Sequence, residues 1–183
     1  MRSQAIAIVI AMGVLATLGA GCGRSGHGAE TDPEKGSDAA ILNTALGQEL
    51  TALDLYVQGL PRLNAATRPL GRRLRSQEQE YVDALTKAIR GLGGEVEAEA
   101  EHLEQAKPRS QADVLSAAFG LESTALASYL DAASRLFTTA PRTLAAALAA
   151  GHSQHLVVLR QAMGADVAAS IPEGFDSGAE VGG

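Results

Sequence analysis

A chain of 183 residues has room for one domain with a substantial core, and its net charge of −6 speaks against nonspecific nucleic-acid binding, which needs a basic face. Aromatic residues make up only 3% and tryptophan is absent, while Ala, Leu, Glu, Gln and Arg dominate. Those residues lose least on entering a helix, and β-branched runs occur only in the first ten positions, so composition favours an all-α domain and speaks against a sheet.

Residues 1–22 have the form of an export signal. Arg2 is the early positive charge, Ala5–Leu18 is apolar, and Gly19-Ala20-Gly21 supplies small residues before Cys22. The apolar run is short for a permanent membrane span. Cys22 is the only cysteine, so it has no disulfide partner within the chain. Small residues before a lone cysteine resemble the lipobox of bacterial lipoproteins, in which the cysteine is lipidated and becomes the mature N-terminus; Gly19 stands where that motif usually has Leu. The expectation is a cell-envelope protein anchored to a membrane through lipid on Cys22, with plain secretion as the alternative. Gly23–Ser37 reads as a flexible linker reaching about 20 Å, with His27 solvated in it.

Four helices follow. The first runs from about Asp38 to Leu60, with Leu42, Leu46, Glu49, Leu53, Tyr56 and Leu60 on one stripe. Pro61 and Thr67-Arg68-Pro69 mark a turn. The second runs from about Pro69 to Leu92, along Leu70, Leu74, Glu78, Tyr81, Leu85, Ile89 and Leu92, and stops at Gly93-Gly94. The third starts at Ser110, with Asp113 as its capping-box partner, and continues to about Phe137 along Leu115, Ala118, Glu122, Ala125, Leu126, Tyr129, Ala133 and Leu136. The fourth is capped by Thr138 or Thr139, has Pro141 in its first turn, and runs to Met163 along Leu144, Leu148, His152, His155, Leu159 and Met163. Short joins make the first and second, and the third and fourth, antiparallel hairpins. The acidic stretch Glu95–Arg109, which includes His102, is long enough to cross the bundle and reads as a solvated connection. Residues 165–183 read as a disordered tail.

The two hairpins are alike in sequence. At an offset of 73, eight of the seventeen pairs over Gly47–Leu63 are identical, including Glu49/Glu122, Tyr56/Tyr129 and Leu63/Leu136. Composition alone would give about two. At an offset of 74, Glu78 to Tyr81 falls on His152 to His155, with Leu85 on Leu159. Glu and Tyr seven residues apart share a helix face, so each half presents the same pair to one core.

Glu49, Glu78, Glu122, His152 and His155 occupy stripe positions where an apolar residue would be cheaper, and each needs a buried partner. One or two fall near the middle of every helix, which is how bundles gather ligands for a transition metal. The pattern resembles a ferritin-like, di-iron-carboxylate four-helix bundle: two hairpins joined by a long crossover, Glu on the first and third helices, Glu-x-x-His on the second and fourth. Glu49 and Glu122 match the single glutamates, Glu78 the Glu of one motif and His155 the His of the other. Tyr81 and His152 depart from it. An imidazole does not bridge two metals as a carboxylate does, and a phenol binds only when deprotonated.

The resemblance implies iron or another transition metal, held as a mononuclear or degenerate di-iron site and used for metal binding or redox chemistry. Tyr56, Tyr81 and Tyr129 are expected to hydrogen-bond the ligands. The alternative is a metal-free network in a bundle that serves as a binding module at the cell surface. No Ser or Thr forms a nucleophile constellation with His152 or His155, so no catalytic residue is assigned. No feature names a protein partner, and a homodimer stays open. The domain plan is 1–22 signal peptide, 23–37 linker, 38–164 bundle and 165–183 tail.

Overall fold

The computed structural model describes residues 32–100 and 107–166. The export signal with Cys22, most of the linker, His102 and the tail beyond 166 lie outside the described residues. Those described hold four long α-helices: α1 (Pro33–Gly59), α2 (Arg68–Gly91), α3 (Gln111–Arg135) and α4 (Thr139–Ala162). Among them is no strand, and no helix is long and apolar enough to cross a membrane. The all-α, four-helix expectation is met, with two hairpins and a long crossover between α2 and α3.

The start of α1 is earlier than expected. It begins at Pro33 rather than Asp38, because Asp32 caps it by accepting from Glu34 N at 3.1 Å and Pro33 takes the first helical position. The first turn and a half is exposed, so it carries no apolar stripe by which to recognise a helix. A 3₁₀ turn over Leu60–Arg62 closes α1. After α2, Gly93 adopts φ +80°, a conformation that favours glycine. The capping box of α3 forms as the sequence implies, Ser110 Oγ accepting from Asp113 N and Asp113 Oδ2 from Ser110 N.

Thr138 precedes α4 as expected but does not cap it through its side chain. Its hydroxyl instead donates to Asp38 Oδ2 at 2.5 Å, and the backbone N–H groups of Phe137 and Thr138 donate to the same carboxylate. Asp38 is fully buried. At the opposite end Gln111, at the start of α3, accepts from Asn64 N and Thr67 Oγ1 in the α1–α2 turn. Asp38/Gln111 and Phe137/Asn64 are both 73 residues apart. Likewise Arg68 donates to the Leu63 carbonyl and Arg142 to the Leu136 carbonyl. Each hairpin turn is thus tied to the first helix of the other hairpin.

Helices α1 and α3 run antiparallel: Asp38 meets Phe137, Gln48 meets Ser128, Glu49 meets Tyr129 and Tyr56 meets Glu122. The apolar core falls into two clusters. One gathers Leu42, Leu46, Leu85, Ile89, Leu136 and Leu148; the other gathers Leu55, Leu63, Leu74, Leu115 and Leu159. On their helices Glu49, Glu78, Glu122, His152 and His155 lie between the residues of the two clusters, so this polar layer has apolar packing above and below it. Leu53, expected in the stripe, is only half-buried and Leu55 takes its place; Met163 is exposed.

Candidate metal centre

Glu49, Glu78, Glu122, His152 and His155 are all at most 2% exposed. His152, from α4, lies between the single glutamates, with Nδ1 2.6 Å from Glu122 Oε2 and Nε2 3.1 Å from Glu49 Oε1. One helical turn on, His155 Nδ1 lies 3.0 Å from the same Glu122 Oε2 and 3.2 Å from Glu78 Oε1. The tyrosines connect the hairpins reciprocally. Tyr129 donates to Glu49 Oε1 at 2.5 Å and Tyr56 to Glu122 Oε1 at 3.0 Å.

These contacts set the charges. Burial pushes Glu122 up, but hydrogen bonds from His152 and His155 outweigh it and hold its carboxyl near 2. Burial likewise opposes ionisation of Glu49, and His152 overcomes it, leaving Glu49 below its ordinary value. Both nitrogens of His152 therefore face ionised carboxylates and donate to them. Burial pulls its pKa down, and the bonds to Glu122 and Glu49 lift it to about 9, so it is an imidazolium. The Tyr129 ring stacks on it at 5.3 Å, a contact that suits a cation. Glu78 is the odd member. His155 Nδ1 stands 3.2 Å from its Oε1 without hydrogen-bond geometry, and burial, then a hydrogen bond with Glu49 and the charge of Glu122, push it to about 11. Burial together with the carboxylates also raises Tyr56 and Tyr129 well above 10 and Tyr81 to about 12, so all three remain phenols.

Four of the five side chains could hold an ion. Glu78, Glu122, His152 and His155 each offer one ligand atom, all within 4.8 Å of one another. A four-coordinate ion with bonds near 2.1 Å separates its ligands by about 3.4 Å, so the set fits one transition-metal ion after a small contraction. His155 Nε2 has no hydrogen-bond partner, and Glu78 and Glu49 have only the single proton on Glu78 between them, an arrangement buried polar groups avoid. A pair of ions fits poorly: His152 replaces a bridging carboxylate, and Tyr81 stands where a second histidine is needed. The Tyr81 hydroxyl lies over Gly151, where any Cβ would come within 2.1 Å of it, and its ring packs against both imidazoles.

Sequence reasoning missed Gly151, Asn43 and the two turn ties. A glycine inside an Ala-rich helix signals close approach, which was the available clue. Asn43 clamps the crossover to α1 by donating to the Glu95 carbonyl and accepting from Glu97 N, and nothing in its local sequence marks it.

A buried polar layer of carboxylates and imidazoles at the centre of two crossed-over hairpins defines a four-helix carboxylate–histidine protein. Residues 37–165 match the ferritin-like domain family, and the chain belongs to it. The fold is also similar to that of a conserved hypothetical protein from Mycobacterium tuberculosis, at 18% identity and a TM-score of 0.66, covering 73% of this chain and 94% of that one. A ferritin-like, diiron-carboxylate protein from Bacillus anthracis is similar at 19% identity and 0.64, covering 72% and 99%. No curated protein matches the chain.

Proposed function

We propose that the protein is an envelope-anchored member of the ferritin-like family that holds one transition-metal ion, iron foremost, for metal binding or redox chemistry. The observation that carries the proposal is the buried cluster of two carboxyls and two imidazoles whose ligand atoms lie within 4.8 Å of one another, with His155 Nε2 left without a hydrogen-bond partner. When bound, the ion would supply a Lewis-acid or one-electron centre shielded from bulk water. The chain supplies the rest. Glu78, Glu122, His152 and His155 are the donors. Glu49 turns His152 by accepting from its second nitrogen, while Tyr56 and Tyr129 hold Glu122 and Glu49 in orientation. Purification without chelator or histidine tag, followed by elemental analysis, tests it: about one equivalent of metal is expected, and two equivalents or none would refute it.

A second reading is favoured by His152 itself. As an imidazolium shared by Glu49 and Glu122, it balances charge without any ion, leaving a metal-free bundle that acts as a binding module. A melting temperature indifferent to chelator, with no co-purifying metal, selects this reading. Anchoring is proposed from residues 1–22: labelled palmitate should enter through Cys22 and vanish in Cys22→Ser, whereas a released, unlabelled protein would leave plain secretion. We also propose that the hairpins descend from one duplicated unit, supported by hydrogen bonds that recur 73 or 74 residues apart.

A further inference from the structure

The buried cluster has two lateral approaches, one between α1 and α3 and one between α2 and α4. On the second side Tyr81 lies across the cluster, its ring centre 5.4 Å from that of His152 and 5.8 Å from that of His155, with its hydroxyl filling the space over Gly151. On the first side a cavity of about 450 Å³ opens between α1 and α3, bordered by Ala98 and Glu99 of the crossover and reaching Glu49, Glu122 and His152. The crossover is seated closely there: a Cβ on Gly47 would stand 3.3 Å from the Glu99 carbonyl oxygen.

The cavity's chemistry is one-sided. Its lining includes no Lys or Arg, and both nitrogens of His152 are engaged by carboxylates. The Thr44, Thr51 and Thr124 hydroxyls each donate to the carbonyl four residues back on their own helix. One buried atom of a lining residue has no hydrogen-bond partner, Gln48 Oε1, and it is an acceptor, while Glu49 shares a hydrogen bond with the protonated Glu78. A visitor to this space must bring hydrogens and positive charge. A hydrated divalent cation does both, since its bound waters are donors. At about 30 Å³ per water, the volume holds roughly fifteen waters, ample for an ion with its first hydration shell. Walls with no Lys or Arg, bordered by Glu99 and leading to Glu49 and Glu122, also concentrate cations there.

We infer that the α1–α3 cavity is the route by which a hydrated divalent cation reaches the buried cluster, and that Tyr81 closes the opposite side. The inference rests on the metal-binding reading. Its test uses the full chain carrying Cys22→Ser, so that an added thiol is unique. Thr124→Cys places that thiol on an exposed position of the cavity wall, where a bulky aromatic disulfide cap can plug the space without touching a ligand. Co(II) alone is added and its absorbance followed in time.

Capped protein should load at least tenfold more slowly than uncapped protein, reach the same final stoichiometry and spectrum, and regain the fast rate once the cap is reduced off and the reductant removed. Because the capped and uncapped states are one folded preparation, slow loading cannot be a folding defect. Loading within twofold of the uncapped rate overturns the route while leaving the metal site standing. A Cys22→Ser protein that takes up no Co(II) overturns the metal reading and the route together. Thr44→Trp, from the other wall, should slow loading in the same sense.

Discussion

Glu78→Gln separates the proton-balanced state of the centre from the metal-balanced one. The substitution keeps the side chain's volume and removes its ionisation. In the metal-free fold Glu78 is raised to about 11 from 4.5, by burial first and then by Glu49 and Glu122. Between those values the folded chain holds a proton that the unfolded chain releases, so its stability falls as pH rises, by up to about 1.4 kcal/mol per pH unit. At pH 7 the cost is on the order of 3 kcal/mol, set by the distance from 4.5 so long as the folded value exceeds 7. Glu78→Gln avoids that cost and offers its amide hydrogens to Glu49 Oε2.

Chelator-treated Glu78→Gln should therefore melt roughly 10 °C above the chelator-treated parent at pH 7, with the gap vanishing near pH 4 and widening toward pH 9. His152 adds a slope of the same sign. Its stabilising contribution is complete below 6.5 and is lost as pH rises through about 9, so the variant flattens the profile without levelling it. Added metal should reverse the order, raising the parent and leaving the variant unmoved. Thermal melts from pH 4 to 9, with and without chelator, measure all of this. Equal melting temperatures at every pH, or a less stable variant at pH 9, would mean that Glu78 is ionised in the metal-free fold and that the charge assignment is wrong.

Three further outcomes follow from the same contacts. Tyr56→Phe and Tyr129→Phe each deprive a buried carboxylate of its phenol donor, and each should cost about 1.5–3 kcal/mol in urea unfolding, the two within 1 kcal/mol of each other because the bonds are reciprocal. Gly151→Ala places a methyl on the Tyr81 hydroxyl and should destabilise by about 1–3 kcal/mol, with Tyr81→Ala in the same chain recovering part of the loss. Asp38→Ala leaves the Phe137 and Thr138 N–H groups without their acceptor and should cost about 2–4 kcal/mol, while amide exchange accelerates first at the α3–α4 turn.

Much of the bundle was legible because its signals are local and periodic. The ends of α2 and the start of α3 follow from proline, glycine and the Ser110–Asp113 box, and the central layer follows from five costly residues set in apolar stripes. The start of α1 was not legible, since Asp32-Pro33-Glu34 looks like linker chemistry until a helix is seen behind it. Asp38 and Gln111 lie in helix-forming stretches, but their partners are about 100 and 44 residues away, and no period reports a tertiary bond. The stripe places Tyr81 on the core face, yet whether its hydroxyl turns toward the ligands or toward α4 depends on Gly151, one helix away. Which His152 nitrogen meets which glutamate depends on rotamers that spacing leaves undetermined.

The crossed tyrosine bonds bear on how the molecule comes together. Tyr56 of the first hairpin completes a carboxylate of the second, and Tyr129 of the second completes a carboxylate of the first. Neither half owns a finished centre. A chain severed between residues 101 and 106 should give two fragments, each keeping a glutamate that its own tyrosine does not serve, and helix content should then depend on their joint concentration. Circular dichroism of the fragments alone and mixed would show it. The centre is in this sense a clasp as well as a site, because whatever neutralises it also fastens one half of the molecule to the other.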